Sequence, residues 1–498
     1  MSSVVSVTAP SLTIMATTSD SKTPSIGKAL DNARFTGLHR RFWFLAGLGI
    51  MLDGFDFFII GVANPLIKED FGATAWQTGL VSSAAIVGAI FGAMFLGPLG
   101  DKIGRRKIFK YDLIMFVVFS VACMVAPDLW TLIASRFFLG VAIGLDYPIA
   151  AAYLAEILPK ANRGRMLVSA FALQAVGMLL GALVGVVILL ILPEVDSWRW
   201  MLGFGIVPAL IIIWLRRTVP ESPRWLAQNG QEAEAIEVTE RLTGEKVHVS
   251  DKDREKVDES SEGLQALFQP RLFKGDLRRR TIFTSVPWFL MDIATYGVGI
   301  FTPTLLGALA LAGPNSTFIA DDIAATEGTA LLDIFLVLGF VAAIFTVEKL
   351  GRVKLQILGF SLMGVGLLIL GIAAALPGGG DDHLALVFLG FAIFNFFMNM
   401  GPNATTYALP AEVFPSEVRA AGHGFAAGLA KLGAALGVFF FPILLDAWGQ
   451  PALLFALAGV TILALIITWA FRIETMGKSL DEISGRKFGA LKARPTPP

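Results

Sequence analysis

Four aspartates and one lysine stand inside apolar runs where a charged side chain is costly: Asp53, Asp56, Asp146, Asp292 and Lys431. An ionisable group at the middle of a membrane-length helix costs about 3 kcal/mol on insertion scales, so a set of this size needs an explanation. A carboxyl withdrawn from water can take up and give back protons within the physiological range and couple that exchange to a change of shape. The lysine supplies a deep positive charge for an anion. Trp288, Asp292 and Tyr296 follow one another at intervals of four residues, which puts all three on one helical face. An aspartate between two aromatic rings reads as a pocket wall; a core stripe is the alternative. Lys431 and Asp292 are alternatively a buried ion pair that ties helices together. The two readings coexist, because a lysine that bridges an aspartate in the empty site can release it to an incoming anion.

The elements that carry these residues are membrane spans. Of 498 residues, 55 % are hydrophobic and 16 % charged, and the mean hydropathy of +0.68 excludes an ordinary soluble enzyme of this length. Apolar runs long enough to cross about 30 Å of hydrocarbon lie at roughly 43–66, 78–100, 108–126, 131–157, 166–192, 199–216, 281–310, 330–348, 355–376, 384–409, 421–445 and 452–472. Each must be helical, because an unpaired backbone amide in hydrocarbon costs several kcal/mol. The fold class is therefore an all-α membrane protein of twelve transmembrane helices. Residues 1–40 read as a disordered tail, 41–216 as a first six-helix half, 217–280 as a linker with short amphipathic helices, 281–473 as a second half and 474–498 as another tail. Lys102, Arg105, Arg106, Lys107, Lys160, Arg163, Lys349, Arg352 and Arg419 fall in alternate connections. The opposite connections hold mainly Asp70, Asp128, Glu194, Asp196, Asp321 and Asp322. By the positive-inside rule both termini are cytoplasmic.

The halves repeat each other. Asp101-Lys-Ile-Gly104-Arg105 follows span 2 and Glu348-Lys-Leu-Gly351-Arg352 follows span 8. Glu156, Pro159 and Arg163 after span 4 have the spacing of Glu412, Pro415 and Arg419 after span 10. Duplicated halves of this kind place a solute site near the bilayer midplane between them.

These residues resemble the major facilitator superfamily over essentially the whole membrane portion. Gly97-Pro-Leu99-Gly-Asp101-Lys-Ile-Gly104-Arg105-Arg106 matches its loop between spans 2 and 3, and Arg136, Gly140 and Gly144 match its span 4 pattern. Pro220-Glu-Ser-Pro-Arg224-Trp225 and Glu474-Thr-Met-Gly-Lys478 resemble the sugar-porter branch. The fold implied is two pseudo-symmetric six-helix halves. A narrower set, Asp146-Tyr147-Pro148, Gln174, Trp288, Asp292, Tyr296, Asn403 and Lys431, is similar to the pocket of phosphate:proton symporters. That resemblance implies substrate contacts by Tyr147, Gln174, Trp288, Asp292, Tyr296, Asn403 and Lys431, and a proton path through Asp53 or Asp56 with Asp146. The span 1 stretch Asp53-Gly-Phe-Asp56 instead resembles aromatic-acid:proton symporters, and Trp288 and Asp292 stand where sugar porters usually carry a glutamine pair. The implied activity is proton-coupled symport of a small solute, phosphate first, with an organic or aromatic acid or a sugar as the alternative.

Gln174 and Asn403 can each donate and accept, and suit an oxyanion or a sugar hydroxyl equally; such amides also simply tie helices together. Gly401 and Pro402 locally open span 10 beside Asn403. Asp101, Gly104 and Arg105, with Glu348 and Arg352, read as a latch that holds the outward-open state and breaks on rocking; a topology signal is the alternative. Arg136 reads as a charge relay or as a snorkelling residue, His423 as interfacial, and Asp112 and Asp333 as water-reached residues at span ends. Gly177, Gly181 and Gly185 have the spacing for close helix packing. The chain holds one cysteine, Cys123, and four histidines. With no phosphate-cradling loop and no paired-histidine metal motif, neither enzyme activity, a cofactor nor a metal is expected. The expected partners are a small solute, protons and the lipid bilayer, not nucleic acid, and a monomer in the plasma or inner membrane suffices. A transport-like receptor is the rival class, but the linker is too short and unpatterned for a signalling domain.

Overall fold

The computed structural model describes residues 23–96, 103–159, 163–254, 270–307, 317–415 and 418–476. Among the described residues, ten helices are long and apolar enough to cross a membrane. The last of them, ending the Arg419–Phe471 helix, is two spans joined at Gly449, whose φ of +75° departs from the helix two residues before Pro451. Arg105–Met124 escapes that count because its first turns carry Lys107, Lys110 and Asp112 besides Arg105 and Arg106. The spans are thus Gly37–Phe71, Ala75–Phe91 with its π-helical continuation Gly92–Leu96, Arg105–Met124, Leu129–Ile157, Arg163–Ile191 and Val195–Arg216 in the first half. In the second they are Gly275–Leu306, Phe318–Leu350, Arg352–Ala375, Leu384–Val413 and the two arms of Arg419–Phe471. We number them 1–12. Span 10 passes through a π-turn at Asn399–Asn403 that contains Pro402, the local distortion produced where proline has no backbone N–H to donate to the regular ladder and its ring crowds the preceding turn.

Within each half the helices approach through small residues. Gly177 of span 5 packs on the Met51 carbonyl of span 1, Gly181 on Phe55 and Ile59, and Gly185 on Val62. In the second half Gly433 and Gly437 of span 11 pack on the Phe289 and Ile293 carbonyls of span 7. Between helices in lipid, where no hydrophobic drive separates protein from solvent, this closeness supplies the van der Waals contact that holds them. Across the halves, at the end away from the linker, Gly61 meets the Ile300 carbonyl and Gly79 the Phe439 carbonyl. One continuous apolar core runs through both halves. The outer surface keeps large apolar side chains exposed, among them Trp214, Phe345 and Ile466, as a lipid-facing surface must.

The segment between the halves carries helices at Pro223–Gln228, Glu232–Thr243 and Asp251–Arg254. The N-terminal tail differs from expectation over residues 25–40. Ile26–Asn32 is a helix with Ile26 and Leu30 fully buried, and span 1 already begins at Gly37. Ser25 bridges to His248, Gly27 N–H donates to Asp253, and Arg224 pairs with Asp31 at 2.9 Å. The polar composition suggested a frayed tail, but Ile26, Ala29 and Leu30 recur on one face and find an apolar surface on the linker helices. The expected tail residues 1–22 and 477–498 lie outside the described residues.

Candidate functional site

Spans 5, 7, 8, 10 and 11 enclose a cavity of about 40 Å³ between the halves. Its walls include Gln174, Trp288, Asp292, Tyr296, Asn403 and Lys431, so six of the seven substrate positions inferred from the sequence meet at one place. The seventh, the side chain of Tyr147, lies outside the described residues. Span 7 presents Trp288, Asp292 and Tyr296 together because they are four residues apart. Lys431 Nζ donates to Tyr296 Oη at 2.7 Å and lies 4.6 Å from that ring and 5.9 Å from the Phe57 ring. The charge of Lys431 and the indole of Trp288 both bear on the Asp292 carboxyl. The lysine is therefore held by a phenol and by aromatic faces from both halves, beyond the bare ion pair weighed from the sequence. Asn403 Nδ2 donates to Asn399 Oδ1 at 2.7 Å within the π-turn, which leaves its amide oxygen for the cavity.

The linker-side wall is aromatic, which the sequence analysis did not anticipate. Phe171 of span 5 and Tyr407 of span 10 face each other across the halves with centroids 4.4 Å apart. Tyr407 also meets Trp288 at 6.3 Å and His423 at 5.3 Å. His423 was placed at the membrane interface; it instead packs in this cluster and bonds the Tyr407 carbonyl at 3.2 Å. The signal available was position alone, since Phe171 precedes Gln174 by three residues and Tyr407 follows Asn403 by four.

Asp53, Asp56 and Asp146 do not line this cavity; they form two buried charge clusters in the first half. Asp56 pairs with Arg136 at 3.5 Å, both fully buried, so Arg136 neither snorkels nor reaches the surface. Asp146 receives Arg216 in a forked arrangement at 2.9 and 3.3 Å. Arg216 also donates to the carbonyls of Leu45 and Ala46 and stacks 4.4 Å from the Phe109 ring. Asp53 and Asp112 belong to the same electrostatic group, and both line a small void with Asp146. Asp112 and Asp333, expected where water reaches, are 2 % and 3 % exposed. Depth along a span was read correctly for neither, because distance from a run's end does not tell which way a side chain faces.

The repeated loop residues meet within each half. Arg105 pairs with Glu156 at 3.0 Å and Arg352 with Glu412 at 3.0 Å, so the duplicated glutamates and arginines are true counterparts. Gly104 and Gly351, with φ of +100° and +85°, make the two equivalent turns that launch spans 3 and 9. Glu221 accepts the backbone N–H groups of Arg105, Arg106 and Ser222. Glu348, at the end of span 8, pairs with Arg352, the first residue of span 9, at 2.8 Å across the Gly351 turn. Asp101 lies outside the described residues. Among the described residues, no group of acidic, histidine or cysteine side chains could hold a metal.

The comparisons with known proteins agree with this architecture. The family described as "Sugar (and other) transporter" matches residues 42–486. The chain is 30 % identical over 508 residues to a "Probable inorganic phosphate transporter 1-6" of Arabidopsis thaliana, covering 93 % of this chain and 96 % of the relative. It is also 30 % identical over 456 residues to the "Putative metabolite transport protein YaaU" of Escherichia coli (strain K12), covering 91 % and 96 %. The partially occluded, inward-open structure of the xylose transporter XylE from E. coli superposes with a TM-score of 0.70 at 22 % identity, covering 89 % of this chain and all of that one. The chain belongs to the sugar (and other) transporter family: it is a multi-pass membrane transporter with the major facilitator fold, and not an enzyme.

Proposed function

We propose that this transporter carries a small anion, inorganic phosphate before others, together with protons, by alternating access of its halves. The observation that carries the reading is Lys431, a partly buried cation beside Tyr296 in the cavity between the halves. Lys431 supplies charge; Trp288, Tyr296, Gln174, Asn403 and Tyr147 supply shape and hydrogen bonds; Asp53, Asp56, Asp146 and Asp292 hold the protons. A cavity of 40 Å³ has room for about three waters, so an oxyanion enters only when the halves part. The Phe171–Tyr407 contact is the inner gate, since two rings can swing where glycine-packed backbones cannot. Gly104 and Arg105 with Asp101, and Glu348 with Arg352, act as the latch of the outward-open state, while the Arg105–Glu156 and Arg352–Glu412 ties each rigidify one half at its linker end. The linker face is cytoplasmic, as the basic residues Arg106, Lys107, Lys110 and Lys349 favour. The similarity to named phosphate transporters supports the choice of solute.

A second reading, an aromatic carboxylate, is favoured by the five rings of Phe171, Trp288, Tyr296, Phe340 and Tyr407 around the cavity. The test is uptake of radiolabelled phosphate into proteoliposomes under an inward proton gradient, with and without excess benzoate or xylose. Gradient-driven accumulation that is lost in Asp292→Asn and Lys431→Ala is expected. No phosphate uptake by the unaltered chain overturns the assignment, and inhibition by benzoate alone selects the second reading.

A further inference from the structure

A second cavity, of about 500 Å³, lies outside the solute site at the linker end of the first half, between the start of span 3, the end of span 6 and the helix Pro223–Gln228. Its polar lining is basic. Arg106, Lys107, Lys110 and Arg217 are exposed there, and none of the four side chains forms an ion pair among the described residues. Two carboxylates share the lining. Glu221 is already occupied by the backbone N–H groups of Arg105 and Arg106, which leaves Glu234 to face four cations. Arg216 turns inward to Asp146 and adds nothing to the opening.

Below this basic rim the surface becomes apolar along both helices. Tyr111, Ile114 and Val118 follow Lys107 at steps of four, seven and eleven residues, and all are exposed. Trp214, Leu210 and Val207 precede Arg217 at steps of three, seven and ten, and are exposed as well. These steps keep each set on one face of its helix. Cations that served only to orient the chain in the bilayer would need water around them and no cavity. A cationic pocket at the end of two helices whose exposed faces continue as apolar side chains has instead the polarity of a phospholipid whose headgroup is anionic.

We propose that this cavity binds the headgroup of an anionic phospholipid, with its acyl chains lying along the exposed apolar faces of spans 3 and 6. Lys107, Lys110 and Arg217 reach the phosphate as flexible cations at the interface. Arg106 brings the headgroup against the turn whose backbone Glu221 holds, next to the Arg105–Glu156 pair. The site is independent of which solute the protein carries.

The test reconstitutes the full chain in vesicles of equal dioleoyl-phosphatidylglycerol and dioleoyl-phosphatidylcholine, extracts it in mild detergent and reads retained lipid in intact-protein mass spectra. The unaltered chain should retain phosphatidylglycerol selectively. Each basic residue near an anionic surface contributes about fivefold, so Lys107→Gln/Lys110→Gln/Arg217→Gln should lose retention on the order of a hundredfold. The charge-keeping Lys107→Arg/Lys110→Arg should retain it, as should Arg278→Gln/Lys349→Gln/Lys354→Gln, which removes equal charge elsewhere on the same side. Equal retention of both lipids by the unaltered chain overturns the proposal, and so does an equal loss in the second triple variant. Displacement of the lipid by millimolar inorganic phosphate would assign the cavity to free phosphate and also overturn it.

Discussion

Replacing Arg216 by methionine removes a buried guanidinium while keeping an apolar stem over the Phe109 ring. Four bonds disappear: two to Asp146 and one each to the carbonyls of Leu45 and Ala46. Removing one partner of a buried ion pair costs about 3–5 kcal/mol, because the remaining charge is stranded away from water. The two carbonyl bonds add only about 0.6 kcal/mol each in a membrane interior. The loss therefore falls mainly on Asp146, which Asp53 and Asp112 also repel. Adding Asp146→Leu to Arg216→Met removes that stranded charge and should recover about 3 kcal/mol, so the coupling in the double-mutant cycle should be at least about 3 kcal/mol. The assay is reversible unfolding by dodecyl sulfate in mixed micelles for the four proteins of the cycle. Equal stability of Arg216→Met and the double variant would refute the reasoning, because the arginine would then be supporting the fold through its carbonyl bonds and packing alone.

Four further outcomes are expected. Gly177→Ala places a methyl on the Met51 carbonyl and should destabilise the first half by about 1–3 kcal/mol. Gly428→Ala meets nothing within 4 Å and should be neutral or stabilising by up to about 1 kcal/mol in the same unfolding assay. An aromatic pair contributes about 0.5–1.5 kcal/mol, so Phe171→Ala should populate an open inner gate about two- to tenfold more. Linker-side maleimide labelling of Asn403→Cys in a Cys123→Ser background reads this, and an unchanged rate removes Phe171 from the gate. Asp128 caps span 4, and the N–H and hydroxyl of Thr131 with the N–H of Trp130 hold its carboxyl below the usual carboxylate range. Its folded value is depressed, so its support is complete above about pH 4 and is lost as pH falls through that lower value. Amide exchange at Trp130 and Thr131 should differ between the unaltered chain and Asp128→Ala at neutral pH and converge in acid; a constant difference would exclude the ionised cap.

The twelve spans were legible in the sequence because crossing a bilayer is a local demand: about 20 consecutive apolar residues suffice, whatever surrounds them. The duplication was legible for the same reason, since Glu156 and Glu412 keep their spacing along the chain, and the structure confirms it by giving each the matching arginine. One wall of the solute cavity could be read from a single helix, because Trp288, Asp292 and Tyr296 are four residues apart. Everything that depends on which helix faces which was decided by tertiary packing. Lys431 finds Tyr296 at bonding distance; Asp112, judged by its distance from a span end, turns inward to Asp146. Arg216 and Arg217 look alike as a basic pair closing span 6. Successive residues on a helix point about 100° apart, so one is buried against a carboxylate and the other stands on the rim of the basic cavity.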